Sequence, residues 1–269
     1  MMALRAVIAA SFAVALSGCI TGPSSAPART VAETAPGYLS QGTLESLASA
    51  VPAAPSPGSP EAVADIAASD RLRALEDTDR WLLATRHAEL RPALALSHFD
   101  CALETRLSAE DSPRLVALLA RVLHDANEAA ELAKARDFRA RPVSVDPDRR
   151  ACQVASAAGR ASPSYPSGSA TVGAAFGAAF AALAPDHAEA ANRIGHEIGV
   201  SRAVCAMHYP ADVVEGERLG RTVFTRIAAT PAFGTDLAAA RSELARARAA
   251  GLTSPACAAE RAALATPLP

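Results

Sequence analysis

Two short blocks of this 269-residue sequence place charged and hydroxyl side chains where an anion could bind. The first block, residues 134–142, brings several cations, among them Lys134 and Arg141, to the predicted C-terminal end of a helix. Cations at that position stabilise any helix, and they also suit a bound anion. The second block places Ser167, Gly168 and Ser169 at the start of an alanine-rich helix. Backbone N–H groups at a helix start suit a phosphate, although such a turn is also ordinary capping.

A third block, residues 201–212, adds a candidate nucleophile. Arg202 precedes His208, and Asp212 follows that histidine four positions later. Because Pro210 is predicted to open a helix, the Asp212 carboxylate can reach back towards the imidazole. Such a pair is structural in many proteins and orients a catalytic imidazole in others. The block therefore suggests nucleophilic or acid–base chemistry without proving it.

The elements that must position these blocks are predicted to be helices. Hydrophobic residues make up 50% of the chain but aromatic residues only 4%, and alanine is abundant, which favours helix over strand. Helical spacing covers residues 61–96, with a possible cap at Asp70. A further helix starts at Ser112-Pro113 and runs towards Lys134, and others cover 170–184, 188–204, 211–229 and 233–250, whereas 137–167 is predicted to be irregular. The fold class is therefore all-α, with one compact helical domain over residues 61–269.

The segment before residue 61 predicts export followed by a tether. A short basic start ending at Arg5 precedes an apolar run over residues 6–16, which is too short to span a bilayer as a permanent helix. The run ends in Leu16-Ser17-Gly18-Cys19, which resembles the bacterial lipobox; an ordinary secretory signal with a chance cysteine is the alternative. We therefore predict a lipoprotein signal peptide at 1–18 and a disordered linker, rich in Pro, Ser and Ala, at 19–60. The expected location is the periplasm, with a lipid on Cys19 as the membrane attachment.

Charge and cysteine content limit the partners and cofactors. The 26 basic and 28 acidic side chains give a net charge of −2, which argues against a nucleic-acid partner. Four cysteines remain when Cys19 is set aside, and an even number in an oxidising compartment favours two disulfides with three connectivities open. These cysteines are widely spaced and give no zinc motif, so no metal is predicted: Cys101, Cys152, Cys205 and Cys257.

In chain order the blocks read Lys-x6-Arg-Pro, Pro-Ser-Gly and Ser-Arg-x5-His-x3-Asp, which resembles the signature of the PAP2 superfamily. That superfamily includes the bacterial class A non-specific acid phosphatases, which the chain resembles most closely, and the vanadium haloperoxidases. The intervals fit as well, since 23 residues separate Pro142 from Pro166 and 31 separate Ser169 from Ser201. The resemblance covers most of the chain after about residue 75, and it suggests disulfides between Cys101 and Cys152 and between Cys205 and Cys257.

The resemblance implies hydrolysis of a small phosphate monoester through a phosphohistidine, with no cofactor. The residue matching His208 attacks phosphorus, and the residue matching Asp212 orients that imidazole through its other nitrogen. Water then hydrolyses the intermediate. Whether the domain forms a homo-oligomer is left open. The residues that match the phosphate-binding positions of the family are Lys134, Arg141, Ser167, Gly168 and Arg202.

One position departs from the family pattern, because Ser169 stands where the family has the histidine that protonates the leaving group. A serine hydroxyl is too weak an acid for that role, and general acid catalysis typically contributes about 10² to 10⁴ in rate. Three other histidines are candidate substitutes: His124, His187 and His196.

Three functions follow from this pattern. A weakened acid phosphatase is preferred, since an abandoned site would not need to keep the phosphate-binding block and the nucleophile block together. A phosphate-binding pseudo-phosphatase lipoprotein is the alternative. A vanadate-dependent peroxidase is less favoured, because the missing histidine also serves that chemistry.

Overall fold

A computed structural model describes residues 36–269, and within that range the chain contains helices and no strands. This confirms the all-α prediction. The α-helices in chain order are α1 Gln41–Ser49, α2 Pro60–Arg71, α3 Asp79–Arg86, α4 Pro92–Ala95, α5 Pro113–Lys134, α6 Pro142–Val145, α7 Ala157–Ala161, α8 Gly168–Leu183, α9 Ala188–Val204, α10 Pro210–Ala228, α11 Pro231–Ala250 and α12 Cys257–Ala265.

Helix α8 forms the centre of the core, packed by α5, α9 and α10. Its alanine and glycine residues let the neighbouring backbones approach closely. A Cβ atom at Gly195 of α9 would lie 2.6 Å from the carbonyl oxygen of Gly173 on α8, so only glycine fits there. The aromatic rings of Phe99 and Phe180 stack at 4.0 Å beside this contact layer. The start of α8, where the second sequence block lies, is thus fixed by three helices.

The beginning of α5 agrees with the prediction in position but not in mechanism. The helix starts at Pro113, yet the Ser112 side chain makes no cap hydrogen bond. Instead the Glu243 carboxylate of α11 accepts hydrogen bonds from the backbone N–H groups of Arg114 and Leu115, at 3.0 and 2.9 Å. A distant carboxylate therefore satisfies the free donors and complements the helix dipole.

The predicted cap at Asp70 is wrong. Helix α2 begins at Pro60, and the Ser59 hydroxyl caps it by accepting a hydrogen bond from the N–H of Ala62 at 3.1 Å. Asp70 lies in the last turn of this helix, where its carboxylate pairs with Arg149 at 2.9 Å. The helical pattern over 61–96 is in fact broken into several short helices.

The second half of the predicted linker is also folded. Residues 41–49 form α1, which packs on α5 and buries Leu44, Leu47 and Ala48. The backbone N–H of Tyr38 donates to the buried Asp125 carboxylate at 2.8 Å. An average composition rich in Pro and Ser conceals this short amphipathic helix, whose apolar residues recur at helical spacing. Residues 19–35 of the linker, which include Cys19, and the signal peptide at 1–18 lie outside the described residues.

The disulfide pairing suggested by the family resemblance is wrong. The bonds join Cys101 to Cys257 and Cys152 to Cys205, with Cα–Cα distances of 5.3 and 4.8 Å. Cys257 begins α12, a helix that the sequence analysis missed and that packs on α3. Cys152 and Cys205 share a small apolar cluster beside the third sequence block. The pairing follows from packing between segments far apart in sequence, which spacing does not encode.

The helices nearest the sequence blocks match the predictions well. Helices α8 to α11 begin and end within a few residues of the predicted bounds, and the segment 137–167 contains only the short helices α6 and α7. No helix among the described residues is long and apolar enough to cross a membrane.

Candidate active site

The three sequence blocks converge on one pocket of about 190 Å³ at the N-terminal end of α8. The pocket contains cations, the candidate nucleophile and the serine that replaces the expected histidine. Its lining includes Asn127, Glu131, Lys134, Arg141, Gln153, Ser162, Gly168, Ser169, Arg202, Met207 and His208. The described residues contain no cluster of three or more acidic, histidine or cysteine side chains arranged to hold a metal ion.

Lys134, the last residue of α5, brings its ammonium group to the start of α8. A Cβ atom at Gly168 would lie 3.2 Å from Lys134 Nζ, so the glycine leaves room for the ammonium. The Ser167 hydroxyl caps α8 by accepting a hydrogen bond from the N–H of Ala170 at 3.2 Å. A cation and the positive end of a helix dipole therefore act at the same place, which favours an oxyanion.

The guanidinium of Arg141 is held by backbone oxygens. It donates to the carbonyl oxygens of Ser162, Pro163 and Met207 at 3.1, 3.2 and 2.8 Å. Its Nη1 atom also lies 3.0 Å from Nε2 of His208. These contacts fix the planar group at the pocket wall beside the candidate nucleophile.

Arg202 is a second guanidinium, fully buried behind the pocket. Its Nη2 donates to Gln153 Oε1 at 2.8 Å, while its buried Nε has no hydrogen-bond partner among the described residues. Burial, together with the nearby charge of Arg141, lowers the pKa of Arg202 to about 10. A buried cation with an unused donor favours an anionic ligand, because an anion would compensate both.

His208 is oriented by the backbone of a neighbouring segment. Its Nδ1 atom lies 2.7 Å from the carbonyl oxygen of Ser164, which can only accept, so the contact assigns a proton to Nδ1. The lone pair is then on Nε2, which faces the Arg141 side of the pocket. Burial lowers the pKa of His208 to about 4, and the imidazole is therefore neutral and nucleophilic in mildly acidic solution.

Asp212 acts on His208 less directly than the sequence suggested. Its Oδ2 atom lies 3.8 Å from Nδ1, beyond hydrogen-bond distance. The carboxylate instead accepts hydrogen bonds from the Ser164 hydroxyl at 2.5 Å, the Tyr209 N–H at 2.8 Å and the Arg139 guanidinium at 2.6 Å. Burial alone would raise the pKa of Asp212, but His208, Arg139 and Ser164 together hold it below its usual value.

Arg139 is a further residue of the site, which the sequence patterns did not identify. Its guanidinium bridges the carboxylates of Asp212 and Asp65, each at 2.6 Å, and stacks over the Tyr209 ring at 4.1 Å. The signal was present, since Arg139 shares the cation block with Arg141 and stands two residues before it. Its partner Asp65 comes from α2, however, and local sequence gives no sign of that contact.

The three histidines considered as substitute proton donors do not line the pocket. His196 Nδ1 pairs with Glu217 Oε1 at 2.8 Å on an exposed surface. His124 lies beside Asp125, and His187 beside its neighbour Asp186. All six histidines of the chain lie within the described residues, and His208 alone lines this pocket.

The chain is similar to bacterial proteins named for phosphatase activity. It is 33% identical over 200 residues to an acid phosphatase of Zymomonas mobilis subsp. mobilis, covering 74% of this chain and 75% of that protein. It is 28% identical over 172 residues to a non-specific acid phosphatase of Salmonella typhimurium, covering 64% and 69%. A non-specific acid phosphatase of Providencia stuartii is 26% identical over 213 residues, covering 76% and 82%. No protein-family model matches the chain.

The buried imidazole yields a first prediction. His208 should remain the neutral Nδ1–H tautomer through mildly acidic pH and gain a proton only near pH 4, because burial disfavours its charged form. An unfolded histidine takes up its proton near pH 6.5. The contribution of His208 to stability is therefore complete above that pH and decreases as the pH falls towards about 4.

Nuclear magnetic resonance of protein with labelled histidine side chains measures this pKa. His196 is the internal comparison, since the Glu217 carboxylate raises its pKa. A His208 titration at or above pH 6.5 would contradict the neutral, buried imidazole.

Proposed function

The chain belongs to the acid phosphatase family, and on that basis we propose that it is an exported acid phosphatase that hydrolyses phosphate monoesters through a phosphohistidine at His208. One observation carries the proposal: a neutral imidazole with its lone pair on Nε2 lines the same small pocket as three cations. Those cations are Lys134, Arg141 and Arg202. A phosphate dianion needs cations around its non-bridging oxygens and a nucleophile in line.

Binding of the phosphate would use charges that are already in place. The Lys134 ammonium and the N-terminal end of α8 would hold one side of the group, with the cap Ser167 and Gly168 beneath it. Arg202 would add its unpartnered Nε donor. Groups fixed before the substrate arrives need little reorganisation when charge develops in the transition state.

Attack would follow from the orientation of His208. Nε2 forms the bond to phosphorus, and Arg141, now 3.0 Å from Nε2, would turn its donor to a phosphate oxygen. The ring becomes positively charged in the phosphohistidine, where the Ser164 carbonyl on Nδ1 stabilises it. Asp212 adds its negative charge at 3.8 Å and is itself fixed by Arg139. Water then displaces the imidazole and releases phosphate.

The protonation of the leaving group is the weak step in this proposal. Ser169 lines the pocket at the position where the family resemblance expects the donor histidine. Apart from the nucleophile His208, no histidine of the chain lines the pocket. Turnover of substrates with alkoxide leaving groups is therefore expected to be low, while good leaving groups depart without a proton.

Export and lipid attachment complete the proposal. The apolar run over residues 6–16 followed by Cys19 supports a periplasmic protein tethered by a lipid on that cysteine. The two disulfides within the domain agree with an oxidising compartment.

The phosphohistidine provides the central test. Rapid quenching of the purified protein with radiolabelled p-nitrophenyl phosphate should trap label on His208, because water attacks in a separate step. The label should be stable in alkali and labile in acid, and peptide mapping should locate it. His208→Ala should abolish both the label and the turnover. Phosphate binding without any label or turnover would instead identify a phosphate-binding pseudo-phosphatase.

Restoring the expected donor tests the weak step. Ser169→His should raise turnover of glycerol phosphate by about 10² or more and that of p-nitrophenyl phosphate much less, because only the alkoxide requires a proton. Steady-state kinetics at acid pH on both substrates measures the ratio. An equal gain on the two substrates, or no gain on either, would refute the missing-donor explanation.

Membrane attachment has its own test. Replacing the candidate lipid acceptor by Cys19→Ala should move the protein from the membrane fraction to the soluble periplasmic fraction, because the acyl chains supply the attachment. Immunoblots of fractionated cells report the distribution. Persistent membrane association of the variant would argue against lipidation.

A further inference from the structure

Among the residues that the structure describes, a single carboxylate lines the phosphate pocket, and it belongs to Glu131. This residue lies on α5 between Asn127 and Lys134, at positions i, i+4 and i+7, so all three side chains share one face of the helix. All three line the pocket. The face therefore leads from the phosphate-binding ammonium to a carboxylate and then to an amide.

The Glu131 carboxylate lies at the start of α8, near the position of Ser169. Its Oε1 atom is 2.6 Å from Lys134 Nζ and would be 3.8 Å from a Cβ atom at Gly168, the residue before Ser169. The Nε2 atom of His208 lies beside Arg141 in the same pocket. An in-line displacement directs the leaving oxygen away from the nucleophile.

We infer that the leaving group departs beside Glu131, and that Glu131 is a catalytic residue that protonates it and so replaces in part the histidine for which Ser169 stands. This inference rests on the proposed phosphohistidine mechanism. The Glu131 side chain is about half exposed, with 52% of its surface accessible, so solvent reaches it between turnovers. A carboxyl group gives up a proton in the acid range, whereas a serine hydroxyl does not.

The proton balance closes over two steps. In the first, His208 Nε2 forms a bond to phosphorus, the bond between phosphorus and the ester oxygen breaks, and that oxygen takes the proton of the Glu131 carboxyl. The alcohol leaves, with phosphohistidine and a Glu131 carboxylate remaining. In the second, water attacks phosphorus and gives a proton to Glu131, and the electron pair of the N–P bond returns to Nε2. Inorganic phosphate and the original protonation states result.

The ion pair of Glu131 places its carboxyl group next to the expected substrate. In the free protein the carboxylate pairs with the Lys134 ammonium. A phosphate group held by that ammonium would therefore lie beside Glu131, where the carboxyl group can meet the ester oxygen.

Glu131→Gln tests the inference, with Glu128→Gln as the matched control on the same helix. Glu128 does not line the pocket. Glu131→Gln should lower turnover of glycerol phosphate by about tenfold, with much less effect on p-nitrophenyl phosphate, because Glu131 supplies only part of the rate factor of about 10² to 10⁴ that is typical of a general acid. The control should behave as the wild type on both substrates.

Two further measurements distinguish a catalytic from a structural role of Glu131, and failure of this inference from failure of the proposed function. In a Ser169→His background, Glu131→Gln should change glycerol phosphate turnover little, because the histidine makes the glutamate redundant as a donor. A merely structural role of the glutamate would lower turnover equally in both backgrounds. Equal effects of Glu131→Gln on both substrates, or faster turnover of both through a freed Lys134, would overturn the assignment. Label trapped on His208 together with unchanged selectivity in Glu131→Gln would refute this inference alone. A wild type without label or turnover would overturn the proposed function and the inference together.

Discussion

The site depends on one buried charge, the carboxylate of Asp212. A buried anion destabilises the fold unless donors surround it. The carboxylate accepts hydrogen bonds from the Arg139 guanidinium, the Ser164 hydroxyl and the Tyr209 N–H. The backbone carbonyl oxygen of Asp212 also accepts a hydrogen bond from the N–H of Ser167 at 2.9 Å. These groups come from the segment before α6, the turn before α8 and the start of α10. Asp212 therefore connects the three segments that carry the sequence blocks.

The electrostatic state of the pocket follows from that arrangement. His208 is buried beside guanidinium groups, so it stays neutral, and its tautomer is set by the Ser164 carbonyl rather than by a direct bond to Asp212. Arg202 is buried with only part of its donor capacity used. In the folded chain without a ligand, the buried guanidinium groups carry an unfavourable desolvation free energy. A bound oxyanion offsets it by pairing with their charges. The attacking half of the site is consequently rigid, enclosed and already oriented.

The half of the site that faces the leaving group is built differently. Ser169 is only half-buried, and Glu131 is half exposed and bonded to Lys134. Within residues 36–269, no buried hydrogen-bond network fixes these two side chains, in contrast to the group around Asp212. Selection among substrates with different leaving groups would then arise at the exposed side of the pocket, whereas phosphate recognition arises in the interior.

The sequence alone determined the all-α class, the bounds of α8 to α11 and the three blocks that meet in the pocket, because helical periodicity and motif spacing are local properties of the chain. It did not reveal α1 within the linker, the cap of α5 by Glu243, the disulfide pairing, the bridge of Arg139 to Asp65, or the place of Glu131 beside Lys134 in the pocket. Only the tertiary structure decided these features, because most of them join residues far apart in sequence. The pair of Glu131 and Lys134 is local, but it lines a pocket only because distant segments of the chain pack around it.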